Sequence, residues 1–302
     1  MKKVFYLFIT LCFITLIYST SSLATDNVNL IKIDAQTGEI TSCPVNSTQT
    51  TLTTPASQVT PITRTVFASD TREQVIDTTI FPYSTICRIE GTNNYDNTSI
   101  ISTATMIGPK VAITSAHSVY QSNLGGLFNN ITVSPGYYRG NKPFGSSVVK
   151  TIYLAQEWLD TNGSSDLTTL NNSFDYDWAV VVLNDKIGND SGWLSVRRYS
   201  NYLDLFGLDA KIIGYPHKIE RDNFYANYFF QYIATGKIDT AFGKILEYTI
   251  DTSDGQSGAA LLNTTNEVIG IHGGTTLNGL SNRGVKIDEF IMNQIVEALN
   301  EL

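Results

Sequence analysis

Short runs rich in β-branched and aromatic residues recur along the chain beyond residue 80, and they limit what it can fold into. Ser84–Ile89, Thr103–Ile107, Val111–Thr114, Trp178–Leu183, Lys211–Gly214, Ile245–Ile250 and Val268–His272 are of this kind, and Gly, Asn, Asp or Pro separates many of them. Residues of these types suit a pleated, half-buried surface. Numerous short strands predict an all-β sandwich or barrels rather than βαβ units. One helix stands out at the C-terminal end. Ile287, Ile291, Ile295 and Leu299 recur every four residues, with Asp288 and Glu289 placed to meet the positive end of a helix.

The chain is long enough to bury a large core, with 302 residues of which 42% are hydrophobic and 16% charged. Its cysteines, Cys12, Cys43 and Cys87, draw no disulfide framework. Stability then has to come from burial, and Cys87 between Ile86 and Arg88 reads as a core thiol. A net charge of −8 and the lack of a Lys/Arg cluster argue against nucleic acid as a partner. No acidic cluster has metal-ligand spacing, so no metal and no cofactor is expected.

Two segments precede the β-rich region. Lys2 and Lys3, the apolar run from Val4 to Tyr18 and a Ser-x-Ala ending at Ala24 read as a secretory signal peptide over residues 1–24. The alternative is an uncleaved anchor, but the run is short for a bilayer. Residues 25–64 differ in composition from the β-rich region. From Cys43 to Thr65 the chain is mostly Thr, Ser, Pro and Gln without an aromatic residue, too little apolar surface to offset its ordering entropy. It ends at Arg64, the first basic residue since Lys32. A flexible propeptide with a processing site and an ordinary linker both fit.

Three positions carry chemistry. Asp254-Gly255-Gln256-Ser257-Gly258-Ala259 wraps glycines around a serine, where backbone amides can come close to a ligand. A Gly-rich turn would look the same in isolation. His117 follows Ala112-Ile-Thr-Ser-Ala116 where a strand gives way to small residues, and Asp177 directly precedes the apolar strand Trp178–Leu183. Taken singly, His117 could be a strand-end histidine and Asp177 a turn aspartate. Together they supply a base for the serine proton and a carboxylate to orient that base. His217, after Tyr215-Pro216, has no acidic or nucleophilic context and is given no role. The chain order His117, Asp177, Ser257 excludes an α/β-hydrolase, which runs Ser, Asp, His, and a subtilisin-like enzyme, which places Asp before His.

His117 in Thr-Ser-Ala-His, Asp177 in Asp-Trp-Ala-Val-Val-Val-Leu and Ser257 in Gly-Gln-Ser-Gly-Ala resemble the chymotrypsin-like serine proteases, and more closely the bacterial glutamyl endopeptidases. The likeness extends through Arg72-Glu-Gln-Val-Ile-Asp-Thr-Thr79, Met106-Ile-Gly-Pro-Lys110, Ile213-Gly-Tyr-Pro216, Asn266–His272 and Asn282-Arg-Gly284. It covers roughly residue 65 to the C-terminus. The resemblance implies two six-stranded antiparallel β-barrels with a C-terminal α-helix, spanning residues 65–302, and a catalytic cleft between the barrels. It implies a triad of His117, Asp177 and Ser257, with the backbone N–H groups of Gly255 and Ser257 as oxyanion hole. His272 and Thr252 would bind the carboxylate of a glutamate before the scissile bond.

Counting back from Arg72, the resemblance places the mature N-terminus near Thr65, so that an activating protease would cut after Arg64. That favours the propeptide over the linker, and the α-amino group of Thr65 would then join the specificity pocket. The expected protein is a secreted, monomeric serine endopeptidase with no membrane contact after signal removal. It would cleave protein and peptide substrates after Glu and less readily after Asp. A toxin-like protease with one protein substrate and a catalytically silent binding module are the alternatives. The chain departs from relatives at Ala259-Ala260, where Ser-Pro is commoner and the cleft wall could change shape. It departs again at Gln256, which stands where many chymotrypsin-like enzymes have an aspartate paired to the N-terminus.

Overall fold

A computed structural model describes residues 30–43, 65–67, 69–161 and 173–301. The signal peptide expected over 1–24 and the cleavage point expected after Arg64 lie outside the described residues. The two strands farthest upstream are β1 (Leu30–Asp34) and β2 (Ile40–Cys43). Further along come β3 (Ile86–Thr92), β4 (Ser99–Met106), β5 (Val111–Thr114), β6 (Asn129–Pro135), β7 (Ser147–Ala155) and β8 (Ala179–Leu183). These close a first antiparallel barrel in the order β8-β5-β4-β3-β6-β7, with β7 pairing back to β8. The second barrel uses β9 (Asp209–Gly214), β10 (Tyr232–Phe242), β11 (Ile245–Tyr248), β12 (Ala260–Leu262), β13 (Val268–Thr275) and β14 (Asn282–Lys286). It closes in the order β9-β12-β13-β14-β11-β10, with β10 pairing back to β9. The expected pair of six-stranded barrels is therefore present.

The strand sequences follow from this packing. Each barrel wall faces its own interior on one side, and where the barrels meet it is buried on the other side too. Strand β8 shows the effect: Ala179, Val181 and Leu183 fill the first barrel with Ile89, Met106 and Ile152. Val180 and Val182 point the other way, into a layer shared with Ile213, Ile271 and Val285. A strand buried on both faces reads as a continuous apolar run, as this one does. The second barrel is filled by Ile212, Ile238, Leu246, Leu261 and Ile269. Cys87 is a fully buried thiol whose ionisation burial pushes far up, the inert core residue expected.

The C-terminal helix, Glu289–Asn300, closes the layer between barrels with Ile291, Ile295 and Ala298. The Asp288 side chain caps it by accepting from Ile291 N at 2.9 Å. Among the described residues no helix is long and apolar enough to cross a membrane.

Upstream of the Thr- and Ser-rich stretch, whose residues 44–64 lie outside the described residues, the chain forms two strands. Leu30–Asp34 and Ile40–Cys43 form an antiparallel hairpin, and β1 adds to the first barrel's sheet along β7. Its turn is chemically specified. Asp34 Oδ1 accepts from Gln36 N and Thr37 N at 2.9 Å each, and Gly38 takes φ +71°. Alternating Ile31 and Ile33, then Asp34 and Gly38, are a hairpin signal upstream of the stretch read as flexible.

Candidate active site

The first barrel contributes two of the polar groups. Strand β5 ends at Thr114, and a single 3-10 turn over Ala116–Ser118 carries His117. Another such turn, Phe174–Tyr176, ends at Asp177, two residues before β8. The backbone N–H of His117 donates to Asp177 Oδ1 at 3.0 Å, while His117 Nδ1 lies 2.7 Å from Asp177 Oδ2. Both carboxylate oxygens are thus engaged by one residue, which fixes the imidazole plane. The carboxylate accepts, so Nδ1 carries a proton, and in the neutral imidazole Nε2 is then left with a lone pair. That lone pair faces Ser257, whose Oγ is 2.7 Å from Nε2. All three side chains are buried, with Asp177 fully so. The arrangement can move a proton from serine to imidazole and hold the resulting imidazolium against a carboxylate.

Ser257 reaches this position from the second barrel, in the loop between β11 and β12. Gly255 and Gly258 have φ of +91° and +77°. A Cβ on Gly258 would stand 2.1 Å from Thr114 Oγ1, and one on Gly255 would stand 2.2 Å from the Tyr215 carbonyl. The glycines are therefore required by close approach as well as by conformation. Thr103, in β4 of the first barrel, grips the loop across the interface. Its N–H donates to Ser257 O at 2.9 Å and its hydroxyl to Gly255 O at 2.8 Å. His217 has a structural part here: its N–H donates to Asp254 O at 2.6 Å and its ring stacks on Tyr228. Ala259 and Ala260 turn into the core, Ala259 to the second barrel and Ala260 to the layer between barrels. The cleft wall anticipated from them is thus core packing instead.

Beneath the loop lies a charge that the sequence did not announce. Gln256 Oε1 accepts from Ser253 N at 3.0 Å and from Arg72 Nη1 at 2.9 Å. Arg72 and Asp70 are buried and bidentate, with Nε to Oδ1 at 2.9 Å and Nη2 to Oδ2 at 2.6 Å. Arg72 also donates to Ser253 Oγ and to Lys218 O. A guanidinium from the start of the domain thus holds the inner side of the nucleophile loop, where Gln256 alone gave no hint of a partner. Burial pushes the Asp70 carboxyl up, and the hydrogen bonds and charge of Arg72 more than offset this, leaving it below its ordinary value. Asp70→Asn leaves the Arg72 charge buried without its counter-ion, which costs about 3–5 kcal/mol. Urea titration at pH 7 should show that loss. The pair exists above the lowered carboxyl pKa and is lost as pH falls through it, so wild type and variant should converge on acidification below about pH 4.

Thr252 meets Thr65, while His272 borders the nucleophile loop from β13. His272, in β13, is fully buried and its Nδ1 is 2.6 Å from the Tyr248 hydroxyl. Its backbone pairs with the nucleophile loop, accepting from Gly258 N and donating to Ala259 O, both at 2.8 Å. Thr252 is fully buried, with its N–H directed to Thr65 O at 3.4 Å and no hydrogen-bond partner for Oγ1. Thr65 is further held by Asn282, which accepts from Thr65 N at 3.3 Å and donates to Thr65 O at 2.9 Å. Asp251 secures the next stretch of chain, accepting from Phe67 N at 2.7 Å and Thr71 N at 2.8 Å. Asn282, Tyr248 and Asp251 were not singled out from sequence for these roles, and only tertiary contact reveals them.

No family model matches the chain. The curated glutamyl endopeptidase of Bacillus licheniformis is 26% identical over 251 residues, covering 78% of this chain and 70% of that one. A solved structure of a Glu endopeptidase in complex with MPD has a TM-score of 0.65 and 27% identity, across 78% of this chain and all of that one. The chain is a chymotrypsin-like serine endopeptidase akin to the glutamyl endopeptidases. The protease Anisep of Arthrobacter nicotinovorans shares the fold at a TM-score of 0.60 and 17% identity, over 76% of this chain and 99% of that one. As an endopeptidase of this kind, the protein takes peptides or proteins as substrates.

Proposed function

We propose that the protein is a secreted endopeptidase that cleaves after glutamate, and less readily after aspartate. The observation that carries this reading is His117, held 2.7 Å from both Asp177 Oδ2 and Ser257 Oγ. Ser257 attacks the scissile carbonyl while His117 takes its proton. The acyl-enzyme forms as the amine leaves with that proton, and water then releases the acid. Gly255 and Ser257 supply the oxyanion N–H groups. Support comes from the Asp254–Gly255 and Gln256–Ser257 peptide planes, which carry these two N–H groups. The Asp254 carbonyl is tied to His217 N and the Gln256 carbonyl to Ala259 N. In a trans peptide the N–H points opposite to its carbonyl, so the N–H groups of Gly255 and Ser257 turn away from those anchors.

The specificity pocket in this reading is His272, Thr252 and the amino group that cleavage after Arg64 would create on Thr65. Residues 1–24 act as signal peptide and 25–64 as a propeptide that the activating cut severs from the 65–302 protease domain. A substrate carboxylate in a buried pocket needs donors to offset its desolvation. The unpartnered Thr252 hydroxyl and the Asn282-held Thr65 nitrogen supply them beside the nucleophile loop. His272→Gln should lower kcat/KM on glutamyl peptides by about 10- to 100-fold, the worth of a hydrogen bond to a charged group. Hydrolysis of an activated ester lacking a carboxylate should change little. Equal losses on both substrates would make His272 purely structural. Profiling cuts in a peptide library tests the whole reading: glutamate should precede most of them, and cleavage without regard to acidic residues would refute it.

A further inference from the structure

The hairpin Leu30–Cys43 lies upstream of the cleavage point proposed above, yet it is built into the first barrel. Strand β6 pairs with β7 only at Ser147 and Val148. From Thr151 to Ala155 that edge of β7 is taken by β1, in the register Leu30↔Ala155 to Asp34↔Thr151, while β8 occupies the opposite edge. Ile31 and Ile33 are each 1% exposed and share a core with Ile152, Leu154 and Val181. On the other face of β1, Leu30 joins the layer beneath the C-terminal helix. Lys32 ion-pairs with Glu301 at the end of that helix, and the Tyr153 hydroxyl donates to the same carboxylate. A leader that simply covers a cleft needs none of these contacts.

We infer that this hairpin is a permanent component of the mature enzyme: after the cut behind Arg64 it stays on β7 as a non-covalently bound second chain. This rests on the processing reading given above. The outer edge of β7 is an interaction surface whose partner is an antiparallel strand with two alternating isoleucines facing the barrel. A lysine between them meets Glu301. Departure of the strand would leave five residues of β7 with one open edge and expose the apolar side chains that Ile31 and Ile33 cover. The proposed activating cut therefore frees the backbone at Thr65 without freeing the hairpin.

The test uses the full chain with the recognition sequence of a specific protease placed between Arg64 and Thr65, in the Ser257→Ala background to prevent self-digestion. After cutting, denaturing electrophoresis should show two fragments. Gel filtration and native mass spectrometry should show one particle containing both. An upstream fragment that elutes alone from the otherwise native wild-type hairpin overturns the inference. In the Ile31→Asp/Ile33→Asp variant the fragment should separate after the cut; continued binding would refute the role given to these side chains. If that variant does not fold, Lys32→Ala replaces it and should speed dissociation of the fragment measurably. Because the cut is introduced and the read-out is mass, neither absent natural processing nor absent peptidase activity alters the result.

Discussion

Ser257→Ala is expected to abolish peptide hydrolysis, lowering kcat on the order of 10⁶-fold, while leaving the thermal transition in place. The size of the effect reflects the role of the hydroxyl. It lies 2.7 Å from His117 Nε2, and in the proposed mechanism no acyl-enzyme forms without it. The fold should survive because the loop is held by other groups. Thr103 bonds Ser257 O and Gly255 O, Arg72 bonds the Gln256 side chain, and Gly258 N bonds His272 O. The measurement is turnover of a glutamyl peptide alongside labelling by a serine-directed fluorophosphonate. Both should vanish together. A variant that still cleaves at the wild-type rate would remove Ser257 from the mechanism.

Asp177→Asn is expected to cost about 10⁴-fold in kcat at neutral pH, with substrate affinity nearly unchanged. Here the argument is one of tautomers. Asp177 Oδ1 accepts from His117 N and Oδ2 faces Nδ1 at 2.7 Å. An asparagine can keep the first bond only by turning its NH₂ toward Nδ1, which then has to accept. The proton moves to Nε2, and the imidazole can no longer take the serine proton. Geometry is retained and the base is lost, so kcat should fall while KM holds. Equal loss in both terms, or a collapsed melting curve, would mean that Asp177 acts as a structural residue.

The proposed triad was legible in the sequence because its signals are local. A histidine following a β-branched strand, an aspartate leading an apolar one and a serine between glycines can each be read within a few residues. Their order along the chain excludes the competing folds. The same holds for strand content and for the C-terminal helix, whose four-residue period and Asp288 cap are short-range features. The hairpin Leu30–Cys43 was legible in principle, but the Thr- and Ser-rich composition downstream of it masked its Ile31/Ile33 alternation.

The chain alone thus specifies an all-β protein with a His-Asp-Ser order, since periodicity, turn chemistry and order are properties of the chain, while the two barrels were implied only by the family resemblance. The groups that support this constellation emerge only in three dimensions. The grip of Thr103 on the nucleophile loop spans 154 residues, from Thr103 N to Ser257 O, and Arg72 reaches Gln256 across 184. The seat of Thr65 on Asn282 spans 217. Contacts at such separations leave no mark on local pattern. They are set by how two closed barrels meet, and burial makes them matter, because a polar group removed from water must find its partner there.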